Sequence, residues 1–259
     1  MSISLNDYLS SLQEDGRELK PLPLCHTTME FYFFEIITNH RLRAEKPCPV
    51  FKEMLVFFFY GKAKYIPRKY VREGGNRFLP VTMLFNMEQF GNASPKRMLP
   101  FDSGGFDLYR LQVKPIDYYV VPSPSVGAVK KYISGIYGTN EQYLTRKMKP
   151  DAVSEDSLWY AVKEIKYLHD HPPGEDVGNQ AYTIEIQFED TGDVWAEPHA
   201  IVIPHRMFTS TAMMDKIREC ISTQNIVPYA IDTEEAGEDI MYEYKVMGGK
   251  VAKYVRDNY

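Results

Sequence analysis

The stretch that decides the fold is residues 24–67, which read LCHTTMEFYFFEIITNHRLRAEKPCPVFKEMLVFFFYGKAKYIP. Its first part predicts a short strand that ends near His26 and is followed directly by a helix. Thr27 or Thr28 could cap this helix, and Glu30 in the first turn suits the positive end of the helix dipole. Apolar residues then recur at helical spacing as far as the Asn-His pair, where we expect the helix to end.

Residues 54–60, MLVFFFY, form a continuous apolar and largely aromatic run. A run of this length without alternation predicts a strand that is buried on both faces. His26 would then lie at the end of one strand and face the next. A histidine in this position is either a core residue bonded to backbone or a side chain that binds a ligand, and the spacing leaves both readings open.

Residues 182–188, YTIEIQF, alternate strictly between apolar and polar side chains, which predicts a strand. The turn-forming residues 189–193 follow, and residues 194–203 predict a returning strand, so we expect a hairpin. Glu185 lies within the first of these strands. The usual explanation is a glutamate that faces solvent at a sheet edge, and the alternative is a carboxylate projected into a cleft. Glu197, on the returning segment, is a second candidate acid, but Pro198 beside it indicates a strand edge or bulge.

Residues 61–77 are rich in basic side chains and contain one acid, Glu73. Tyrosines are interleaved with the bases, a combination that suits a partner with phosphates and flat bases. The alternative is a solvated, basic loop. The candidate nucleic-acid-binding residues are Lys62, Lys64, Arg68, Lys69 and Arg72.

The composition fits a globular protein of 259 residues, with 44% hydrophobic residues and a formal net charge of −5. We expect a single domain over residues 1–259, with residues 206–259 as a C-terminal extension packed on it. Three widely spaced cysteines and no CxxC pair argue against a disulfide scaffold or a zinc ribbon. Residues 1–20 lack an apolar signal core, and the longest apolar run is too short to cross a bilayer. We therefore expect a cytoplasmic protein without membrane association.

The remaining elements are predicted from caps and periodicity. We expect further helices at 5–12, at 123–138 with Ser125 as cap, from a Ser154 cap to about His169, at 212–223, and towards Tyr254. Further strands are expected at 78–85, 118–121 and 226–231. The turn at 102–105, Asp-Ser-Gly-Gly, could hold a phosphate on its backbone N–H groups, although a close passage of the chain is the commoner explanation. His169 and His171 could bind a metal, but their place at a helix C-terminus favours a structural role, and we expect no metal.

Three of these features together resemble the motifs of the ADP-ribosyltransferase superfamily. The His-Thr pair at 26–27 with its helix is similar to the first motif, and the aromatic strand that ends in Tyr60 is similar to the second. The strand with Glu185 is similar to the third. The likeness is nearest to the bacterial DNA- and RNA-modifying branches and covers less than half of the chain.

The resemblance implies an α+β fold in which two small, mostly antiparallel sheets with flanking helices are packed at an angle, with NAD clamped between them. It implies that His26, with Thr27 beside it, binds a ribose hydroxyl, and that Tyr60 or Tyr65 stacks on the nicotinamide ring. Glu185 would stabilise the developing oxocarbenium ion. NAD would be a substrate, and no metal would be needed.

The implied function is a glycosyltransferase of the ADP-ribosyltransferase type or an NAD glycohydrolase, in a toxin or defence setting, with nucleic acid as one acceptor left open. One departure is Thr183, where many members carry a second acid or Gln, and this argues against arginine side chains as targets. Two alternatives stay open: a non-catalytic, nucleotide-binding relative, and a nucleic-acid-binding module that uses the basic segment. The sequence does not decide the acceptor, the oligomeric state or the choice between Glu185 and Glu197.

Overall fold

A computed structural model describes residues 4–13, 18–63, 79–109, 111, 115–171, 181–231 and 240–259. These residues form a mixed α+β fold around one eight-stranded sheet. The strands are β1 Leu24–Met29, β2 Leu55–Tyr60, β3 Pro80–Phe85, β4 Pro95–Leu99, β5 Val121–Pro122, β6 Glu185–Glu189, β7 Ala200–Pro204 and β8 Ile226–Tyr229. The α-helices are α1 Leu5–Ser11, α2 Glu30–Asn39, α3 Val126–Ile136, α4 Asn140–Leu144, α5 Tyr160–Asp170, α6 His205–Thr209, α7 Thr211–Cys220 and α8 Ile240–Asn258.

The sheet is open and mostly antiparallel, with the strand order β5-β4-β6-β2-β1-β3-β7-β8. Among the described strands, β7 and β8 are the one parallel pair. The aromatic strand β2 and the His26 strand β1 lie at the centre, which explains why β2 carries almost no polar side chain. A strand in this position has a neighbour on each side and protein on both faces.

The two central strands are joined by very little pairing. β1 contacts β2 through only two residue pairs, Leu24 with Tyr60 and Cys25 with Phe59, whereas β1 pairs with β3 along all six of its residues. In the described part of the chain, residues 26–29 therefore have no ladder partner on the β2 side. A gap opens in the sheet at this point.

The two faces of the sheet are covered by different elements. On one face a cluster of phenylalanine rings packs around Phe58, with ring centroids 5.1–5.8 Å from those of Phe85, Phe90 and Phe188. On the opposite face α8 covers β3, where the Thr82 hydroxyl lies 2.8 Å from the Met247 sulfur. Burial of these rings and of the α8 stripe contributes to the hydrophobic stabilisation of the sheet.

The predicted helices are largely confirmed, but several of their ends differ. The Ser125 hydroxyl caps α3 by accepting a hydrogen bond from the Ala128 N–H at 3.2 Å, as expected. By contrast, Met29 occupies the N-cap of α2 because Thr27 and Thr28 are paired within β1. The left-handed residue after α2 is His40, and α5 begins only at Tyr160, so the predicted Ser154 cap is wrong.

The predicted hairpin between β6 and β7 is also wrong. β6 pairs with β2 and β4, and β7 pairs with β3 and β8, so three strands separate the two. The hydrophobic pattern predicted a strand in both places, but β6 begins only at Glu185 and β7 only at Ala200, and their partners come from distant parts of the chain. As a result Glu185 lies on an interior strand and not at an edge.

The resemblance implied two sheets, whereas the described residues form one sheet whose halves meet at the short β1–β2 pairing.

The basic segment lies outside the described residues from position 64 to 78. This segment includes four of the predicted nucleic-acid-binding residues and Tyr65.

Candidate functional site

His26 is the third residue of β1 and lies where β1 and β2 part. Its Nδ1 is 3.0 Å from the Phe57 carbonyl oxygen, so the imidazole reaches from one strand to the backbone of the next. A carbonyl can only accept, and Nδ1 must therefore carry the proton. Burial lowers the pKa of His26, which outweighs the opposing effect of this hydrogen bond. The ring is thus neutral at pH 7, with Nε2 as a hydrogen-bond acceptor.

Glu185 is buried, with 1% of its surface exposed, at the start of β6. Its Oε2 accepts the Ser103 backbone N–H at 3.1 Å, and its Oε1 accepts the Gln187 side-chain amide. Burial raises the pKa of Glu185 to about 8, and the negative charge of Asp102 adds to the rise. Hydrogen bonds from the Gln187 side chain and from the side chain and backbone of Ser103 oppose this rise. A carboxylate held this way is a catalytic candidate, because active sites often shift the pKa of their acids.

The turn at 102–105 uses its N–H groups within the protein. The Ser103 N–H donates to Glu185, the Gly104 N–H to the Asp102 side chain at 2.8 Å, and the Gly105 N–H to the Asp102 carbonyl at 3.0 Å. The phosphate-holding reading of this turn is therefore wrong. The turn instead holds the candidate carboxylate.

The strand register relates Glu185 to His26. Glu185 is paired with Phe59, and Phe59 is paired with Cys25, the residue that precedes His26. Two strand spacings therefore separate the backbones of Glu185 and β1 at this level, a distance of about 10 Å. Paired residues project to the same face, and successive residues alternate. Glu185 and His26 therefore leave the sheet on opposite faces, and the expectation that both side chains face one cleft is not met. The His26 ring, however, reaches from β1 to the Phe57 carbonyl of β2, beside the gap.

Phe57 is a residue that the sequence reasoning missed. It is half-buried, it is paired with Gln187, and its carbonyl is the one that His26 contacts. The register places its ring on the same face as Glu185. Within the run 54–60 nothing distinguishes this ring from its neighbours, because the gap that exposes it is a property of the sheet.

The other predicted cofactor-binding residues have different positions. The Thr27 hydroxyl is 2.8 Å from the Thr82 hydroxyl, so this side chain is committed to β3. Tyr60 is 1% exposed and its hydroxyl accepts the Leu22 N–H at 2.9 Å, at the closed end of the β1–β2 pairing. Tyr60 thus has no free ring face for a nicotinamide. Tyr65 lies outside the described residues.

Lys62 differs from the other predicted nucleic-acid-binding residues because the structure describes it. The side chain is buried, and its ammonium donates to the Tyr143 carbonyl at 2.9 Å and the Tyr182 carbonyl at 3.2 Å. It also lies 4.1 Å from the centroid of the Tyr143 ring. This ammonium is engaged inside the protein and does not face a phosphate. Lys64, Arg68, Lys69 and Arg72 lie outside the described residues.

Glu197, the second candidate acid, lies in an exposed segment between β6 and β7. Its carboxylate accepts hydrogen bonds from the backbone and hydroxyl of Ser222. Glu197 does not belong to a strand, and the strand that follows it, β7, is separated from β6 by three strands of the sheet. The geometry therefore favours Glu185.

The two histidines at the end of α5 do not converge. The His169 Nε2 is 2.9 Å from the Tyr137 hydroxyl, while His171 is exposed and stacks on Tyr167. In the described ranges no group of three or more His, Cys, Asp or Glu side chains is placed to hold a metal. Nor does any described helix combine the length and apolar character that a membrane crossing requires.

An open groove of about 600 Å³ lies away from the residues above, between α2 and α7. It is lined mainly by residues 30–39 and Met213, and it includes neither His26 nor Glu185. Because this groove contains neither of the two candidate catalytic side chains, we place the candidate site at the β1–β2 gap beside His26 and not in this groove.

Comparisons with known proteins gave no assignment. No family model, no curated protein and no solved structure matches the chain.

Proposed function

We propose that the protein cleaves the nicotinamide–ribose bond of NAD, as an ADP-ribosyltransferase or an NAD glycohydrolase. The observation that carries this proposal is the gap between β1 and β2. The His26 imidazole lies at the end of the gap where the β1–β2 pairing stops, and the buried Glu185 is paired with Phe59 at the same level of the sheet. The short β1–β2 pairing also supports the implied split of the sheet into two halves with a ligand between them.

The backbone of Thr27 fits a carboxamide. The donors and acceptors of an antiparallel strand point alternately to its two neighbours, and the Gly61 N–H donates to the Pro23 carbonyl across the β1–β2 pairing. Residues 23, 25 and 27 therefore point towards β2, where the described residues offer Thr27 no ladder partner. A primary carboxamide has one acceptor and one donor group, which match the N–H and C=O of this residue.

The side chains around the gap suit the rest of the substrate. The His26 Nε2, as an acceptor, suits a ribose hydroxyl. Phe57 offers an aromatic face beside the gap in place of the predicted tyrosines. We infer that a ligand bound at the gap would border both faces of the sheet, and with them the side chains of His26 and Glu185.

The reaction requires little acid–base catalysis by the protein, because nicotinamide leaves without being protonated. Nicotinamide leaves with the electron pair of the C1′–N bond, which neutralises its ring, and C1′ becomes positive. The ionised Glu185 stabilises that charge, and water or an acceptor hydroxyl or amine then attacks C1′ and loses a proton. The positive nicotinamide ring of bound NAD favours the carboxylate form of Glu185. Nucleic acid is the acceptor class that the basic segment favours.

The test compares two conservative variants. Glu185→Gln keeps the shape and removes the charge, and we expect a loss of order 10²-fold in the release of nicotinamide from NAD. Glu197→Gln changes an exposed carboxylate and should retain nearly full activity. Nicotinamide is quantified by chromatography, and NAD binding by calorimetry.

The outcomes separate the proposals. Binding of NAD without release of nicotinamide by the wild-type protein would leave a nucleotide-binding function only. Equal activity of the two variants and the wild type would remove Glu185 from the mechanism, and a reversed order would pass the role to Glu197.

A further inference from the structure

The side chain next to Glu185 on the same face of β6 is Gln187, which is fully buried. Residues i and i+2 of a strand point to the same face, so a long side chain at 187 can reach the carboxylate at 185. The Gln187 amide nitrogen donates to the Glu185 Oε1 and lies 3.3 Å from the Ser103 hydroxyl. Both bonds use the amide nitrogen as donor.

The amide oxygen of Gln187 is buried and has no hydrogen-bond partner in the part of the chain that the structure describes. A buried acceptor without a donor is costly. The amide thus keeps its donors on Glu185 and Ser103 although its acceptor is left unpaired. An amide in this orientation stabilises the ionised form of the Glu185 carboxyl group, which burial disfavours.

We propose that Gln187 is a positioning residue, whose side-chain amide and the Ser103 backbone together hold the Glu185 carboxylate in the orientation in which it stabilises C1′ of the substrate. This proposal rests on the proposed function. The two donors engage one oxygen each, so the carboxyl plane is fixed from both ends. Catalytic groups need such support, because a small misplacement costs a large part of the rate.

In the described part of the chain, few charged groups lie near Glu185, Gln187 and Ser103. Asp102 lies on the Ser103 side and disfavours the ionised form of Glu185. Arg97 is paired with Gln187 across β4 and β6, and its guanidinium donates to Glu53. The amide of Gln187 therefore opposes the effect of Asp102, and its removal should make Glu185 harder to ionise.

The first experiment uses Gln187→Met, which keeps the length of the side chain and removes the donor. We expect kcat for nicotinamide release to fall about 10- to 100-fold with little change in KM for NAD, because Gln187 acts through Glu185. The acidic limb of the pH–rate profile should move up by about one pH unit. Gln89→Met, at an exposed position, is the matched control. Unchanged kcat and pH profile in Gln187→Met would overturn the proposal.

The second experiment does not depend on activity. The carboxyl carbon of Glu185 is followed by ¹³C NMR against pH in the wild-type protein and in Gln187→Met. An upward shift of the midpoint in the variant supports the proposal, and an unchanged midpoint overturns it. If the wild-type protein fails to cleave NAD, the proposed function fails, and this titration still decides the role of Gln187.

A third measurement needs no variant of Gln187. In the wild-type protein the side-chain amide signals of Gln187 should shift with the same midpoint as the Glu185 carboxyl. Amide signals that do not respond to this titration would overturn the proposal, even if Gln187→Met does not fold.

Discussion

Replacing Glu185 by Gln is expected to make the protein more stable, and increasingly so as the pH rises. Glu185 is buried, and burial raises its pKa from 4.5 to about 8. The substituted amide has the same shape, can accept the Ser103 N–H with its oxygen, and can donate to the unpaired amide oxygen of Gln187 if that side chain rotates. The variant thus keeps the hydrogen bonds and removes the charge.

The sign and size of the effect follow from linkage. A group whose pKa is higher in the folded state binds more protons there, so stability falls as the pH rises from the unfolded pKa towards the folded one. Each pKa unit is worth about 1.4 kcal/mol. The cost of burying Glu185 should therefore grow by about 2–3 kcal/mol between pH 5 and pH 7 and level off above about 8. Glu185→Gln does not carry this cost.

The assay is urea unfolding of both proteins at pH 5, 6, 7 and 8, with the free energy of unfolding compared at each pH. Glu197→Gln, which removes an exposed charge, controls for the change in net charge. A difference between Glu185→Gln and wild type that stays constant with pH, or shrinks as the pH rises, would refute the reasoning. A gain in stability at a catalytic position is the expected trade-off between stability and function.

Four further predictions concern the site and its surroundings. The value of kcat/KM for NAD should rise about tenfold per pH unit up to about 8, because only the ionised Glu185 assists; a flat profile from pH 6 to 8 would contradict this. Phe57→Ala should raise KM for NAD about tenfold by removing the aromatic face, with Phe57→Tyr as the conservative control; equal KM values would exclude stacking. Lys62→Met should lower the free energy of unfolding by about 1–3 kcal/mol, measured by urea denaturation, because two buried carbonyls lose their donor. Oligonucleotide binding, in contrast, should weaken and lose salt dependence when Ala replaces three basic residues of the 62–77 segment, with NAD hydrolysis nearly intact; equal loss of both would contradict a role in nucleic-acid binding. These residues are Arg68, Lys69 and Arg72.

The sequence by itself determined the elements that depend on local physics. The aromatic run at 54–60 has no charged position and predicted an interior strand, which β2 is. Ser125 precedes a clear apolar stripe, and α3 begins directly after it. The alternation at 182–188 gave the correct facing of Glu185 relative to its neighbours, because the pleat fixes that direction.

The tertiary structure alone decided which strands meet. Sequence proximity suggested that β6 and β7 form a hairpin, yet β6 pairs with β2 and β4, and β7 pairs with β3 and β8. Pairing depends on which buried faces complement each other at long range, and a single strand carries no record of its partner. For the same reason Glu185, for which the sequence left a sheet edge and a cleft both open, is buried on an interior strand. Lys62, expected to meet phosphate, donates to two carbonyls inside the protein.

Some residues of the candidate site were predicted from the sequence, and others were identified only from the tertiary structure. His26 and Glu185 could be named from the resemblance, because the motifs are local. Phe57, Ser103 and Gln187 could not, since their roles depend on the gap between β1 and β2 and on a turn that reaches β6 from 82 positions away. The opposite facing of His26 and Glu185 depends on the register of three strands, which is set when the sheet assembles from distant segments.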